Sequence, residues 1–275
     1  MHLEVLQPQI NLVRNMVAYY YVLQSETKNR QRYTTFPTVN PHLMFFKGCS
    51  PVYNETDQQI HFAATPGYHY EVVLGLNKPV EVNLQGKITE VCVTFHPLAI
   101  ALFIDHKIGL HESATEHLKP HFQQEFALLQ QQVFSVANTQ QLNRLLDHYF
   151  LPYAHQISHH KVGKAIQLVQ QQVYQVKELA QLLQLSERQL HRLFQTYLGC
   201  SPKTFIQIAR FRQSAFSKLA SQELSLTQLA HNYHYFDQSH FIRDYQRMTG
   251  SSPKRFYKNI KPLPSNILWQ IDAES

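Results

Sequence analysis

LAQLLQLSERQLHRLFQTYLGCSPKTF, residues 179–205, recurs further along the chain as LAHNYHYFDQSHFIRDYQRMTGSSPKRF, residues 229–256. The second copy has one extra residue in its turn, and the two stretches otherwise share a set of residues at matched positions. Repetition over such a length indicates a duplicated structural unit. The matched positions are Leu179-Ala180 with Leu229-Ala230, Arg192 with Arg243, Gly199 with Gly250, and Ser201-Pro202 with Ser252-Pro253.

Each copy contains the signals for a short helix, a tight turn and a longer second helix. Ser186 and Asp237 can cap the second helix at its N-terminus, and Gly199 and Gly250 supply the left-handed residue that ends it. The spacing predicts helices over residues 186–198 and 237–248 in a helix-turn-helix arrangement. Their apolar residues follow helical spacing: Leu190, Leu193, Phe194, Tyr197 and Leu198 in the first copy, and Phe241, Tyr245 and Met248 in the second.

The residues left on the outer faces of these second helices have the chemistry that reads DNA bases. Arginine offers two donors to guanine, glutamine pairs with adenine, serine bonds to either, and isoleucine touches the thymine methyl group. A solvated helix face is the alternative for any single residue, whereas two copies with the same pattern favour a functional face. These residues are Arg188, Gln189, His191, Arg192 and Gln195 in the first helix, and Gln238, Ser239, Ile242, Arg243 and Gln246 in the second.

A connecting helix is predicted between the two copies, over residues 206–220, from apolar residues such as Ile206 and Phe216 at helical spacing. As a rigid spacer it would hold the two second helices at a fixed separation. Both could then enter neighbouring major-groove segments on one face of the DNA. A leading helix over residues 159–172 completes an all-α unit of seven helices.

The net charge of +6 is divided unevenly along the chain. Residues 1–155 hold ten Lys and Arg against twelve Asp and Glu, whereas residues 156–275 hold fifteen against seven. An excess of cationic side chains suits a polyanion, because these side chains neutralise phosphates and release counterions. The second half of the chain therefore favours nucleic acid as a partner, with a solvated basic face as the alternative.

At these same residues the chain resembles the AraC/XylS family of bacterial transcription regulators. The resemblance covers residues 156–260 and is carried by LSERQLHRLF and GCSPKTF in the first copy and by YFDQSHFIRDYQRMTGSSPKRFYK in the second. It implies a sequence-specific regulator, not an enzyme, that binds double-stranded promoter DNA in the cytoplasm, with RNA polymerase as a further partner if it activates. By position it implies base contacts from Arg188, His191, Arg192, Gln238, Ser239, Ile242 and Arg243, and DNA-backbone contacts from Lys203, Lys254 and Arg255.

The chain departs from the family text in the turn before each second helix, where glycine is common. Gln184 and His234 occupy these positions. If the turns keep a left-handed backbone, each non-glycine residue costs roughly 1 kcal/mol.

Residues 1–110 contain short β-branched and aromatic runs bounded by turn residues, which predict an antiparallel sheet or barrel. From Pro97 onward the spacing turns helical, first over residues 101–110. Two longer stretches, 122–136 and 139–153, can then pack as a helical hairpin. The predicted strands are 18–23, 42–46, 69–76, 79–84 and 88–95.

Together these patterns predict an α+β protein of two domains. Residues 1–155 form a cupin-like antiparallel β domain with trailing helices, residues 156–261 form the double helix-turn-helix domain, and residues 262–275 form a tail. The order resembles that of the family, whose N-terminal half senses an effector or dimerises in many members. A small-molecule effector and a second copy of the chain in a homodimer are the partners this implies.

Histidines in a small β-barrel raise an enzymatic alternative, because such barrels can hold a metal ion. His61, His69, Glu71 and His96 lie on or beside predicted strands, and His69 and Glu71 share a strand face. No His-x-His pair with a distant Glu and His follows, so we expect no metal, cofactor or catalytic residue. The alternatives left open are an architectural DNA-binding protein without an effector and a metal-dependent cupin enzyme with a DNA-binding appendage.

The three cysteines, Cys49, Cys92 and Cys200, are odd in number and far apart. This spacing favours core or half-buried thiols over a disulfide framework or a metal site. No stretch of the sequence has the length and apolarity of a membrane span.

Overall fold

The computed structural model describes residues 1–54, 58–105, 109–110, 113–156, 161–221 and 223–272. Strands dominate the first part of the chain and helices the second, which confirms the predicted α+β two-domain class. The strands are β1 (His2–Leu6), β2 (Val17–Thr35), β3 (His42–Asn54), β4 (Gln59–Val73), β5 (Val80–Phe95) and β6 (Trp269–Ile271). The helices are α1 (Pro120–Val133), α2 (Thr139–Ala154), α3 (Lys161–Gln170), α4 (Val176–Leu182), α5 (Glu187–Leu198), α6 (Pro202–Ala220), α7 (Leu226–Asn232), α8 (Gln238–Thr249) and α9 (Pro253–Asn259).

The strands form one sheet in the order β1-β2-β5-β3-β4, and β6 pairs with β2. The sheet curls into a half-barrel, because the start of β4 also pairs with β5 in parallel. Successive side chains of a strand point to opposite faces, so the sheet separates two cores. Tyr21, Leu23 and Cys92 lie in the barrel interior, whereas Tyr20 and Val91 lie in the layer between the sheet and the helices.

The strands are longer than the apolar runs that predicted them. The predicted strands 79–84 and 88–95 are a single strand, β5, because both parts pair with β2 on either side of Gly86. The same pairing carries β2 through its polar second half to Thr35. Strands β1 and β6 were not predicted, since they have five and three residues.

The helix predicted over residues 101–110 is wrong. A single 3-10 turn, Ala99–Leu102, occupies its start, and residues 106–108 lie outside the described ranges. The carbonyl oxygens that would continue a helix bond elsewhere: Lys119 donates its backbone N–H to Phe103 at 2.9 Å and its Nζ to Leu102 at 2.7 Å.

Helices α1 and α2 pack together as the predicted hairpin, on the outer face of the sheet. The rings of Phe122 and Tyr153 join the two helices with centroids 5.2 Å apart. Asp147 of α2 fixes the pair to the barrel, because its carboxylate accepts bonds from the Tyr20 hydroxyl at 2.8 Å and the Ile10 N–H at 2.9 Å.

Helices α3 to α9 are the seven helices predicted for the C-terminal region. The Ser186 hydroxyl accepts a bond from the Gln189 N–H, and the Gln189 side chain accepts one from the Ser186 N–H, which forms a capping box at the start of α5. Gly199 and Gly250 end α5 and α8 at φ of 64° and 69°. Within the described ranges, no helix has the length and apolarity needed to cross a membrane.

The leading and connecting helices are both present with shifted ends. Helix α3 covers Lys161–Gln170, while residues 159 and 160 of its predicted span lie outside the described part of the chain. Helix α6 begins at Pro202, earlier than the predicted start at residue 206, because the Ser201 hydroxyl caps it by accepting the Thr204 N–H at 3.0 Å.

The barrel and the helical region are in direct contact. Phe36 of the barrel packs edge-on against Phe256 of α9 at 5.1 Å. Arg212 of α6 donates to the carbonyl oxygens of Pro37 at 3.1 Å and Asn266 at 2.8 Å. The connecting helix is therefore bonded to the barrel as well as to its own domain.

The residues predicted as a C-terminal tail return to the barrel. Strand β6 pairs with the end of β2, with Trp269 opposite Thr35. The Trp269 ring stacks on Tyr33 at 4.3 Å. Residues 273–275 lie outside the described ranges, and the division at residue 155 remains a prediction.

Cys49, Cys92 and Cys200 are all buried free thiols, as predicted. Burial raises the pKa of Cys200 to about 12. These cysteines therefore act as small core residues.

The turns before α5 and α8 keep the left-handed backbone despite lacking glycine. Gln184 and His234 both have φ of 54°. Their N–H groups bond to the carbonyl oxygens of Gln181 and His231, which close the ends of α4 and α7. The family geometry is thus kept at the expense of local strain.

We expect Gln184→Gly to raise the free energy of unfolding by up to about 1 kcal/mol, because glycine adopts this backbone without a Cβ clash. Gln184→Val should lower it, since β-branched residues fit the left-handed region worst. Urea denaturation measures both. Gln181→Gly, at an exposed position inside α4, is the matched control and should be destabilising. If Gln184→Gly lowered the free energy of unfolding as much as Gln181→Gly does, the backbone at Gln184 would not be strained.

Candidate nucleic-acid interface

The outer face of α5 is cationic. Arg188, His191 and Arg192 are all exposed, and their spacing of three or four residues places them on one side of the helix. They line a shallow groove together with Lys203 at the start of α6. Among the described residues, none of these side chains forms an ion pair with a carboxylate. The groove therefore presents positive charge to solvent.

The outer face of α8 is polar, with one arginine in its first two turns. Gln238, Ser239 and Arg243 are exposed and lie in the first two turns, the part of a recognition helix that contacts bases in known complexes. Ile242 is half-buried and packs against the core. Its side chain therefore has less free surface than the sequence pattern suggested.

Two glutamines of α5 are less available than the helical spacing suggested. The Gln189 side chain is held by the capping box, with its Oε1 2.8 Å from the Ser186 N–H. Gln195 is half-buried at the edge of the groove. Of the five candidate residues on α5, Arg188, His191 and Arg192 are therefore the most available to a partner.

The residues predicted to contact the DNA backbone occupy equivalent places in the two units. Lys203 is the second residue of α6, and Lys254 and Arg255 follow the first residue of α9. All three are exposed. Each of these helices begins directly after a second helix-turn-helix helix, so the basic side chains lie beside the N–H groups of a helix start, which favour anions.

A buried ion pair holds α8 in place. Arg210 of α6 donates to Asp244 of α8 at 2.7 Å, and both side chains are 8% exposed. Arg247 adds a second contact to Asp244 at 3.0 Å, and the Arg210 guanidinium lies 4.0 Å from the centre of the Tyr235 ring. The sequence did not reveal this pair, because Asp244 and Arg247 have the spacing of an ordinary surface pair on one helix.

Phe236 is an exposed aromatic residue that the sequence reading missed. Its side chain is 91% exposed, directly before the α8 cap Asp237, whose carboxylate accepts the His240 N–H at 2.6 Å. A fully exposed phenylalanine has no role in packing. Its place beside the polar face of α8 makes it part of the same surface.

A cavity lies inside the half-barrel, on the side that faces α6. Its volume is about 90 Å³, and it opens to solvent on one side. It extends from Glu90 of β5 to Arg212 of α6. Arg212 and Trp269 come from outside the predicted β domain, so no local sequence pattern indicated that they line its interior. Eight aromatic residues line the wall: Tyr19, Tyr21, Tyr33, Phe36, Phe46, Tyr53, Phe62 and Trp269.

Burial and neighbouring charges set the protonation states of the titratable side chains in the cavity. Burial raises the pKa of Glu90 to about 7, although the Tyr21 hydroxyl donates to it at 2.5 Å. Burial and the charge of Arg212 lower the pKa of His42 to about 4. The His42 ring is therefore neutral at pH 7, with its Nδ1 3.1 Å from the Thr94 hydroxyl.

The residues considered for a metal site do not form a cluster in the structure. His61, His69 and Glu71 all lie on β4, and His96 follows β5, where its Nε2 lies 3.1 Å from the Arg14 carbonyl oxygen. Over the described residues, no group of three His, Cys, Asp or Glu is placed to hold a metal ion. No observation on these residues favours metal chemistry.

Two family models match separate parts of the chain. Residues 179–259 match a helix-turn-helix domain, and residues 4–117 match a domain of unknown function (DUF6597). The first match contains both recognition-helix candidates, and the second contains every aromatic residue of the cavity wall except Trp269.

The chain is also similar to curated proteins and solved structures. An uncharacterised HTH-type transcriptional regulator, YidL of Escherichia coli (strain K12), is 32% identical over 35% of this chain and 32% of its own length. One from Haemophilus influenzae is 28% identical over 32% of this chain and 29% of its own length. The match thus covers about a third of the length of each of these curated relatives. ToxT from Vibrio cholerae aligns with a TM-score of 0.47 at 10% identity, over 86% of this chain and 96% of that chain.

We expect Glu90→Gln to weaken the pH dependence of stability. The pKa of Glu90 in the fold, about 7, lies above its ordinary 4.5, so its contribution is complete below about pH 4.5 and is lost as the pH rises through about 7. That loss amounts to about 3 kcal/mol at most. The other titratable groups that face Glu90 have raised pKa values and stay neutral over this pH range. They are Tyr21, Tyr33, Tyr53 and Cys92.

Melting temperatures at about pH 5 and about pH 8 test this expectation. From the lower to the higher pH, the melting temperature of the unmodified protein should fall more than that of Glu90→Gln. Glu26→Gln, at an exposed acid paired with Lys87, is the control and should behave like the unmodified protein. The same slope in all three proteins would show that Glu90 is not perturbed.

Proposed function

Because residues 179–259 form a helix-turn-helix domain of the AraC type, we propose that this protein is a transcription regulator that recognises a specific DNA sequence. The observation that supports it most directly is the pair of capped helices, α5 and α8, with exposed polar and cationic side chains at equivalent positions of a duplicated unit. The names of the matched relatives agree with a regulator rather than an enzyme.

In this proposal α5 and α8 read bases in adjacent major-groove segments. Arg188, His191 and Arg192 read one segment, and Gln238, Ser239, Ile242 and Arg243 read the other, with Ile242 in a smaller role. Lys203, Lys254 and Arg255 bind the phosphates. The nineteen residues of α6 span about 28 Å, a length comparable to one DNA turn of about 34 Å.

The N-terminal domain senses a small-molecule effector, dimerises, or both. The aromatic cavity supports the sensing role, because Arg212 of the connecting helix lines it. Dimerisation is proposed from the family resemblance alone. The protein then acts on promoter DNA in the cytoplasm, with RNA polymerase as a partner if it activates.

Selection of bound sequences from a random duplex pool, followed by mobility shifts, tests the proposal. The selected duplex should bind at least about 10³-fold more tightly than random duplex at physiological salt. Equal binding of both duplexes across a salt titration would instead identify an architectural DNA-binding protein, because phosphate contacts alone do not distinguish sequences.

Arginine and lysine variants separate base reading from phosphate binding. Arg192→Ala or Arg243→Ala should each lose about 1–3 kcal/mol on the selected duplex and relax the preference at one base position. Lys203→Ala should weaken all duplexes alike and reduce the salt slope by about 1. Arg144→Ala, on the exposed side of α2, is the control and should change neither. Equal losses on every duplex for the arginine variants would refute base reading.

Phe236 adds apolar contact to the α8 surface in this proposal. Phe236→Ala should weaken binding to the selected duplex by about 1 kcal/mol or more, because an exposed ring gains free energy only when a partner buries it. Stability should stay unchanged. Leu128→Ala, at a 62% exposed position of α1, serves as the control. Unchanged DNA affinity in Phe236→Ala would remove this residue from the interface.

A further inference from the structure

The two charged groups of the barrel cavity lie at opposite ends of it. In the sheet register Glu90 is opposite Phe46, whereas Thr94, four residues further along β5, is opposite His42. Four strand residues correspond to about 13 Å. Arg212 belongs to the second end, because its charge lowers the pKa of His42.

Neither Glu90 nor Arg212 has a counter-charge among the described residues. Glu90 is 2% exposed and accepts a bond from the Tyr21 hydroxyl. Arg212 donates to two carbonyl oxygens, of Pro37 and Asn266. Neither side chain forms an ion pair with a residue of the described ranges. An ionised Glu90 is buried without a counter-charge, which is costly, and the half-buried Arg212 lines the same cavity without a carboxylate partner. Both groups therefore have the character of binding groups.

Aromatic rings form the wall between the two ends. Trp269 stacks on Tyr33 and meets Tyr21 edge-on at 5.4 Å. Such rings favour an apolar body, and their faces attract an ammonium group. The order along the cavity is therefore a cation, an apolar aromatic passage and a carboxylate.

We propose that the cavity binds a small bipolar molecule that carries a carboxylate at one end and an ammonium group at the other. The carboxylate binds Arg212, the apolar body lies along Trp269 and Tyr33, and the ammonium group binds Glu90. This inference rests on the proposed function, since it names the chemical class of the effector.

The ligand acts on the DNA-binding helices through α6. Arg212 lies two residues after Arg210, so the two side chains leave α6 in nearly opposite directions. Arg210 holds Asp244 of α8. A ligand carboxylate competes with the carbonyl oxygens of Pro37 and Asn266 for the Arg212 guanidinium, and it thereby changes the attachment of α6 to the barrel.

The single tryptophan of the chain makes the binding measurable without a label. Trp269 lies in the cavity wall, so its fluorescence, excited where tyrosine does not absorb, reports on this cavity. The probes are 8-aminooctanoate, octanoate and octylamine, and an extended eight-carbon chain holds its two charges about 10 Å apart. We expect 8-aminooctanoate to bind at least about tenfold more tightly than either single-headed probe.

Charge variants assign each end of the probe. Glu90→Gln should bind 8-aminooctanoate and octanoate equally, and Arg212→Met should bind 8-aminooctanoate and octylamine equally. Arg212→Lys should recover part of the preference for the carboxylate. Glu26→Gln is the control and should bind like the unmodified protein. Binding of octanoate or octylamine as tight as that of 8-aminooctanoate, or no fluorescence change with any probe, would overturn the proposal.

DNA binding supplies the second readout. Saturating 8-aminooctanoate should change the affinity for the selected duplex by at least about threefold in the unmodified protein and not in Arg212→Met. If no duplex is selected but the fluorescence preference is present, the regulator function fails while the ligand class stands. If a selected duplex binds tightly but 8-aminooctanoate shows no preference, the ligand class fails while the regulator function stands.

Discussion

The buried ion pair between Arg210 and Asp244 fixes the orientation of α8, and with it the polar outer face of that helix. The two side chains of the pair are 8% exposed and 2.7 Å apart. A rotation of α8 that separates them would leave Arg210 buried without a counter-charge, at a cost of several kcal/mol, because Arg247 would stay with Asp244 on α8. The Tyr235 ring packs on the same guanidinium and ties the preceding turn to α6. The orientation of α8 therefore follows from that of α6.

The first unit is held differently, although the two units share one sequence pattern. The position that corresponds to Asp244 is Leu193, and α5 is fixed by apolar packing, with the Phe194 and Phe205 rings 5.5 Å apart. Apolar packing is less directional than an ion pair, so α5 keeps more freedom to adjust. Its outer face is also the more cationic of the two. The two outer faces therefore differ both in charge and in how rigidly their helices are held.

Local signals predicted the helical half of the chain well, because caps, helical spacing and left-handed glycines act within a few residues. Ser186 and Gly199 were enough to place α5. The features that were missed depend on partners far away in sequence: β6 exists only because β2 offers it an edge, and the polar second half of β2 is a strand only because β5 pairs with it. Arg212 reads as a surface residue of a connecting helix until the barrel is present beside it.

The way the two halves meet limits how a signal could pass between them. Apolar residues form one continuous cluster from the outer face of the sheet through α3 to α5 and α8, so the helical region is not free to swing on a tether. The polar contacts between the two halves can change more easily. Arg212 donates to the Pro37 carbonyl oxygen, and the Leu110 N–H donates to the Gly199 carbonyl oxygen at 3.2 Å. One contact reaches α6 and the other reaches the end of α5. A change in the barrel that alters either bond would shift α6 or the end of α5 by a small rigid movement, without unpacking the core.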